Sequence, residues 1–141
     1  MQSMTLDDSE DIAFLNLEDI HFLHELALRA GGRKGDLKIQ DLESALGRPS
    51  NAHFYEQEDD LITLAAYLWH GISSAHGYQD ANKRTALLAA LTFLEANGVE
   101  VDINVSANEP GTFVDECYKN GNFEIPVLDK YLRSRCHWIE A

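Results

Sequence analysis

The apolar residues of the chain recur at helical spacing along most of its length, and the first such stripe lies between Asn16 and Gly31. Its members are Leu17, Ile20, Leu23, Ala27 and Leu28. Asn is a favoured N-cap residue, and Gly commonly ends helices. The spacing therefore predicts a first helix that Asn16 caps and Gly31 terminates.

A short second helix is predicted in the segment IQDLESALGRP. We expect Asp41 to cap it and Gly47 with Pro49 to end it, because Gly favours helix termination and Pro cannot continue the helical hydrogen bonds. Its inward face would consist of Leu42, Ala45 and Leu46. The segment that follows, SNAHFYEQ, is predicted to be a loop.

Two strongly hydrophobic helices are predicted next. The first, DDLITLAAYLWHGISSAH, opens on acidic residues that suit a helix N-terminus, and its apolar stripe predicts that it is largely buried. That stripe consists of Leu61, Leu64, Ala65, Leu68 and Ile72. The second, ANKRTALLAALTFLEANG, is apolar around much of its circumference, which is typical of a central helix, and Gly98 is its predicted end.

The remaining third of the chain predicts two more helices and one extended segment. VEVDINV, residues 99–105, alternates like a short strand but has no obvious partner strand. One helix is predicted from about Pro110 through Phe113, Val114 and Cys117, and another from Pro126 with Leu128, Tyr131 and Leu132 inside. The predicted fold class is all-α, a compact single-domain bundle of about six helices over residues 1–141.

Composition and charge narrow the functional classes. The chain has 141 residues, of which 45% are hydrophobic, enough for one packed core. Its formal net charge of −13 argues against a nucleic-acid partner, because phosphate backbones are bound chiefly through Lys and Arg. No apolar run approaches the roughly 18 residues of a membrane span, and the N-terminal segment is acidic where a secretory signal would be basic. We therefore expect a cytoplasmic protein, with Cys117 and Cys136 reduced.

A polar cluster, HGYQDANKRT at residues 76–85, interrupts the two most hydrophobic helices. Asp80 is predicted to cap the second of them, so that residues 81–84 form a first turn whose N–H groups lack helical acceptors. A cation at this positive end of the helix dipole destabilises the helix by about 0.3–1 kcal/mol. The presence of Lys83 and Arg84 there therefore predicts a negatively charged group opposite them. Together with Asn82 they suit a polyphosphate.

The same cluster contains groups that could carry chemistry. The imidazole of His76 suits a general base, and Asp80 could hold magnesium with one carboxylate oxygen. Tyr78 is predicted to anchor the loop by packing beneath it. The residues alone leave a second interpretation open: a capped helix start with a solvated Lys–Arg pair and a nearby His, without any function there.

The segment HGYQDANKRTA resembles the signature of the Fic/Doc superfamily: a His, an aromatic residue two positions on, then Asp, a small residue, Asn, a variable position and Arg. LESALGRP and TALLAALTFLEANG look like members of the Doc branch in particular. The similarity spans the chain from about Leu17 to Gly98.

The resemblance implies an ATP- and magnesium-dependent transferase. Fic enzymes generally have Gly at the variable position and transfer AMP, whereas Lys83 stands there in this chain and accompanies γ-phosphate transfer in the Doc branch. By resemblance His76 is the base, Asp80 the magnesium ligand, Asn82 and Lys83 phosphate holders, and Arg84 the stabiliser of the transferring phosphoryl. The implied protein is a toxin that phosphorylates a Ser or Thr hydroxyl, in the family a threonine of elongation factor Tu, and so blocks translation.

Two departures from the pattern accompany the match. Gly77 replaces the Pro common after the His and is expected to loosen the loop, and Tyr78 replaces the usual Phe, adding a hydroxyl that needs a partner. The motif by which many Fic proteins inhibit themselves is absent from the sequence. The resemblance therefore implies regulation by a cognate antitoxin, whose disordered tail folds over the active site.

Two rival functions stay open. One is AMP or NMP transfer to a protein hydroxyl despite Lys83, and the other is a catalytically idle module that only binds a partner. A metal site built from His21, His24 and His70 is disfavoured, because no cysteine or carboxylate pair joins them at ligand spacing. His53 and Tyr55 are interpreted as surface residues.

Overall fold

The computed structural model describes residues 3–7, 10–35 and 38–140. Within them the chain forms six helices and a two-stranded sheet, which confirms the all-α class. The elements are α1 (Leu17–Leu28), α2 (Ile39–Glu56), α3 (Leu61–Ala75), α4 (Asn82–Ala96), β1 (Val99–Val101), α5 (Glu109–Lys119), α6 (Ile125–Arg133) and β2 (Cys136–Trp138).

Helix α3 is the central element, because it packs against α2, α4 and α6. Its predicted stripe is fully buried, and Trp69 is buried as well. Helix α4 packs on its other side against α1 and β1, and Phe93 and Leu94 are inaccessible to solvent. Each such side chain stabilises the fold by about 1.5–3 kcal/mol, so the two helices that flank residues 76–81 form a rigid frame.

Helix α1 begins at the predicted cap. The side chain of Asn16 accepts a hydrogen bond from the Asp19 N–H at 2.9 Å, and the Asp19 carboxylate accepts one from the Asn16 N–H at 2.9 Å. This reciprocal capping box satisfies two N–H groups that a helix start would otherwise leave unpaired. The predicted stripe faces the core, where Ile20, Leu23 and Ala27 are buried.

The prediction for α2 is wrong at both ends. The helix begins at Ile39 without the predicted cap from Asp41, and it continues through Gly47 and Pro49, so SNAHFYEQ is helical as far as Glu56. The buried residues explain the continuation: Leu42, Ala45, Pro49 and Ala52 form one unbroken helical stripe against α3. Burial of this stripe outweighs the roughly 3 kcal/mol cost of an internal proline.

The predicted extended segment has a partner that sequence reasoning missed. β1 pairs antiparallel with β2, with Val99 opposite Trp138 and Val101 opposite Cys136. Three residues are too few to show alternation, so the sequence around Cys136 gives no strand pattern.

The two free thiols, Cys117 and Cys136, are not bonded to each other. Helices α5 and α6 begin one residue before the predicted prolines, at Glu109 and Ile125.

The N-terminus of α3 is tied to α6 by charge. Asp60 caps α3 by accepting hydrogen bonds from the N–H groups of Ile62 and Thr63, and Arg133 of α6 donates to both of its carboxylate oxygens at 2.9 and 3.0 Å. Arg133 also pairs with Asp129 at 2.9 Å. This partly buried network fixes the end of α3 opposite His76. No helix in the described part of the chain is both long enough and apolar enough to cross a membrane.

Candidate active site

The segment between α3 and α4 is bounded by two residues in the left-handed region. His76 ends α3 at φ 51°, and Ala81 precedes α4 at φ 66°. Non-glycine residues adopt this conformation at a cost of about 1–2 kcal/mol each. Strain of this kind persists where surrounding contacts fix the backbone, and it concentrates at functional sites.

Asp80 is not the N-cap of α4, contrary to the sequence prediction. The cap position is Ala81, and the helix begins at Asn82. The Asn82 side chain instead turns back onto the preceding loop: it accepts a hydrogen bond from the Tyr78 N–H at 3.1 Å and donates to the Tyr78 carbonyl at 2.9 Å. This pair of bonds draws the chain into the left-handed step at Ala81 and moves the helix start by one residue.

Tyr78 is the predicted anchor of the loop. It is only 1% exposed, and its ring stacks on that of His24 with centroids 3.6 Å apart. Its hydroxyl bonds to Nδ1 of His21 at 2.8 Å, which satisfies the group that distinguishes it from Phe. His24 also contacts the Asp80 carbonyl through Nε2 at 2.9 Å. The two histidines of α1 therefore hold the loop.

Gly77 does not loosen the loop as the sequence suggested. It is buried, and its carbonyl accepts a hydrogen bond from the Lys38 N–H at 3.2 Å. A Cβ at this position would lie 2.9 Å from Cβ of Leu42, a core residue of α2. The glycine permits a close approach of the loop to α2, and the loop is consequently held tightly.

The Asp80 side chain is exposed at the cleft, and each of its oxygens has one backbone partner. Oδ1 accepts from the Ala81 N–H at 3.1 Å, and Oδ2 accepts from the Arg33 N–H at 3.2 Å. A carboxylate oxygen has two lone pairs, so each retains one. Mg²⁺ is usually held by one or two carboxylates together with substrate phosphates, and Asp80 fits that role.

The two cations of the cluster, Lys83 and Arg84, contact different helices. Arg84 donates to the carbonyls of Ala27 and Gly31 at the C-terminal end of α1, the first at 2.8 Å. Lys83 reaches α5, where its Nζ lies 3.1 Å from Oδ1 of Asp115. In the structure the negative groups next to Lys83 and Arg84 are therefore Asp115 and the carbonyls at the end of α1.

One cleft of 710 Å³ is lined by the five predicted site residues, His76, Asp80, Asn82, Lys83 and Arg84. His76 is exposed there and makes no side-chain hydrogen bond within the described ranges. The first N–H groups of α4 have no helical acceptors, as in any α-helix. The complete lining is Ser73, His76, Gln79, Asp80, Ala81, Asn82, Lys83, Arg84 and Tyr118. The arrangement joins an accessible imidazole, a carboxylate and a helix N-terminus of the kind that attracts anions.

Sequence reasoning missed Ser73, Gln79 and Tyr118. Ser73 is 1% exposed and lies one helical turn before His76, so a polar residue on the buried face of α3 was a usable signal. Tyr118 comes from α5, 32 positions after Ala86, the last residue of the signature segment, and its Oη lies 2.7 Å from Oγ of Ser73. No local pattern indicates that contact. A second cleft of 650 Å³ adjoins the first and shares Lys83 and Arg84 with it.

Comparison with known proteins matches the same region. A model of the Fic/DOC family matches residues 14–94, which include the whole signature. The chain is 38% identical over 85 residues to "Protein kinase doc" of Escherichia phage P1, a match that covers 60% of this chain and 68% of the phage protein. It is 33% identical over 86 residues to "Toxin Doc" of Mycolicibacterium smegmatis, covering 58% of this chain and 66% of that protein.

Proposed function

The chain belongs to the Fic/DOC family, in its Doc branch, and from this premise we propose that it is a toxin that phosphorylates a protein hydroxyl with ATP. One observation supports the proposal most strongly: His76, Asp80 and the start of α4 with Lys83 and Arg84 line a single cleft. Phosphoryl transfer needs positioning and charge stabilisation more than covalent chemistry, and these residues are of the types it uses.

In the proposed reaction the target hydroxyl oxygen forms a bond to the γ-phosphorus of ATP while the bond from that phosphorus to the β–γ bridging oxygen breaks. His76 removes the hydroxyl proton, and ADP leaves. The N–H groups at the start of α4, with Asn82 and Lys83, would hold the phosphates, and Arg84 would face the transferring group with donors that α1 does not use. Magnesium, when bound at Asp80, would shield the phosphate charge.

The side chains at the start of α4 also serve the fold, and this bears on their proposed roles. Both functional groups of Asn82 already bond to the Tyr78 backbone, which leaves one amide hydrogen for a phosphate. Arg84 holds the end of α1 with two of its five donors. We therefore infer that Asn82 acts mainly by fixing the loop, whereas Lys83 is the more available phosphate contact.

The names of the relatives suggest the biological setting. We propose that a cognate antitoxin inhibits this chain by folding a disordered tail over the cleft, and that the target is elongation factor Tu, modified on a Ser or Thr. The names of the relatives support a toxin and a kinase, whereas the antitoxin and the target are what the resemblance of HGYQDANKRTA to the Doc branch implies.

The intact mass of purified elongation factor Tu, measured after incubation with this chain, ATP and magnesium, tests the proposal. We expect a gain of one phosphoryl group. A gain of one AMP would instead assign the chain to the nucleotidyl-transfer branch. No gain in mass, combined with growth arrest in cells that persists when His76 is replaced, would support the idle binding module.

A further inference from the structure

The side chain of Lys83 is held in place by helix α5. Its Nζ lies 3.1 Å from Oδ1 of Asp115 and 4.7 Å from the centroid of the Tyr118 ring. An ammonium over the face of a tyrosine is attracted by the ring quadrupole. The two contacts place the charge of Lys83 where the cleft that contains His76 meets the second cleft, because Lys83 lines both.

The ring of Tyr118 is itself fixed. Its hydroxyl bonds to the buried Ser73 at 2.7 Å, and one face of the ring stacks on Phe123 with centroids 4.4 Å apart and planes 13° apart. Phe123 in turn stacks on His70 at 5.4 Å. With one face and the hydroxyl engaged, Tyr118 presents a rigid opposite face to Lys83.

Because the ring of Tyr118 is fixed, its contact can order the Lys83 side chain before a phosphate binds. The ammonium of Lys is a point charge on a flexible four-carbon stem, so ordering it opposes binding unless it is already ordered. We propose that Tyr118 is a positioning residue that presents Lys83 to the phosphates of ATP, and that Asp115 is a competing anion which those phosphates displace. The inference rests on the proposed function, because it requires ATP in the cleft.

The two neighbours of Lys83 are therefore expected to act in opposite directions. The Lys83–Asp115 pair is exposed, with side-chain accessibilities of 53% and 70%, and such pairs are weak enough for a phosphate to replace. The aromatic contact bears no charge and does not compete with the ligand. Asp115 and Tyr118 both follow residues 14–94, the region that the family model matches. The two contacts with Lys83 therefore come from a part of the chain that this match does not cover.

Isothermal titration with ATP and magnesium tests the role of Tyr118 through a double-mutant cycle. Tyr118→Leu is expected to weaken ATP binding about two- to fivefold, as loss of an exposed cation–π contact predicts. In a Lys83→Met background the same change should leave the dissociation constant unaltered, because Tyr118 acts through Lys83. Tyr118→Phe, which keeps the ring and loses the Ser73 bond, should bind nearly as the wild type does.

The role of Asp115 has a matched control on the same helix. Asp115→Asn should tighten ATP binding about two- to fivefold, the loss of one weak competing ion pair. Glu116→Gln removes the same charge from the adjacent position, which has no contact with Lys83 in the described structure, and should change binding less. Equal effects of the two variants would overturn the competing role of Asp115 and would show that only the overall negative charge of the protein matters.

Other outcomes separate this inference from the proposed function. ATP binding by the wild type, with an equal effect of Tyr118→Leu in both backgrounds, would overturn the positioning role and leave the phosphotransferase proposal intact. Failure of the folded wild type to bind ATP with magnesium would overturn the proposed function, and the inference with it. Thermal unfolding of each variant identifies any loss that reflects misfolding.

Discussion

Replacement of His76 by Asn is expected to slow phosphoryl transfer by about 10²–10⁴-fold, the usual contribution of a general base. His76 supplies the exposed imidazole of the cleft, whereas Asn82 and Arg84 are engaged in contacts that hold the loop and the end of α1. Asn is the appropriate substitute because it tolerates the left-handed backbone found at this position and has no basic nitrogen.

The measurement compares initial transfer rates and ATP dissociation constants for the wild type, His76→Asn and His137→Asn. His137 lies on β2, where it contacts Glu100 and Asp102 outside the cleft, so its replacement should leave the rate unchanged. ATP binding should survive in both variants. A His76→Asn protein that keeps more than about a tenth of the wild-type rate would remove His76 from the role of base.

Replacement of Arg133 by Met is expected to lower the free energy of unfolding by about 3–5 kcal/mol. Arg133 is 11% exposed and donates to Asp60 and Asp129, which are 16% and 18% exposed. Its removal leaves two poorly solvated carboxylates without their counter-ion. Because Asp60 also caps α3, the loss would reach the helix that ends at His76.

The pH dependence of this effect follows from Asp60. Burial alone would raise its pKa, but hydrogen bonds from Arg133 and from the backbone of Met4 and Thr63 outweigh burial and lower the pKa below 3.8. A carboxyl group whose pKa is lower in the folded chain stabilises the fold above its unfolded pKa and loses that contribution as the pH falls through the folded value. The deficit of Arg133→Met should therefore be full at neutral pH and shrink below pH 3.8.

Chemical denaturation of wild type, Arg133→Met and Lys34→Met measures the difference. Lys34 pairs with Glu25 at 3.1 Å, but the side chains are 78% and 55% exposed, so its loss should cost less than about 1 kcal/mol. Equal destabilisation by both replacements would show that the Arg133 network contributes no more than a surface ion pair.

Most helices could be predicted because their determinants are local. Asn16 and its capping partner lie three residues apart, and the apolar stripe of α3 lies within one segment of sequence. The end of α2 could not be predicted in the same way. Pro49 is a strong local stop, and the burial against α3 of the stripe that includes Pro49 and Ala52, which is tertiary information, outweighs it.

The candidate site shows the same contrast between what local sequence determines and what distant segments determine. The identities of His76, Asp80 and Lys83 were visible as a polar cluster between hydrophobic helices. Their partners were not, because they come from distant segments: Arg84 bonds to carbonyls of α1, and Lys83 pairs with Asp115 of α5. Asp80 was predicted as the N-cap because Asp is a favoured cap residue, but the helix begins after Ala81, and the Asn82 side chain turns back to hold Tyr78.

We propose that this cleft transfers the terminal phosphoryl group of ATP to a protein. The most direct measurement incubates the chain, or its His76→Asn variant, with a bacterial lysate and ATP labelled on either the α- or the γ-phosphate. We expect a protein band that is labelled from γ-labelled ATP alone and only by the chain that carries His76. Label from the α-phosphate, or the same γ-labelling by the His76→Asn variant, would contradict it.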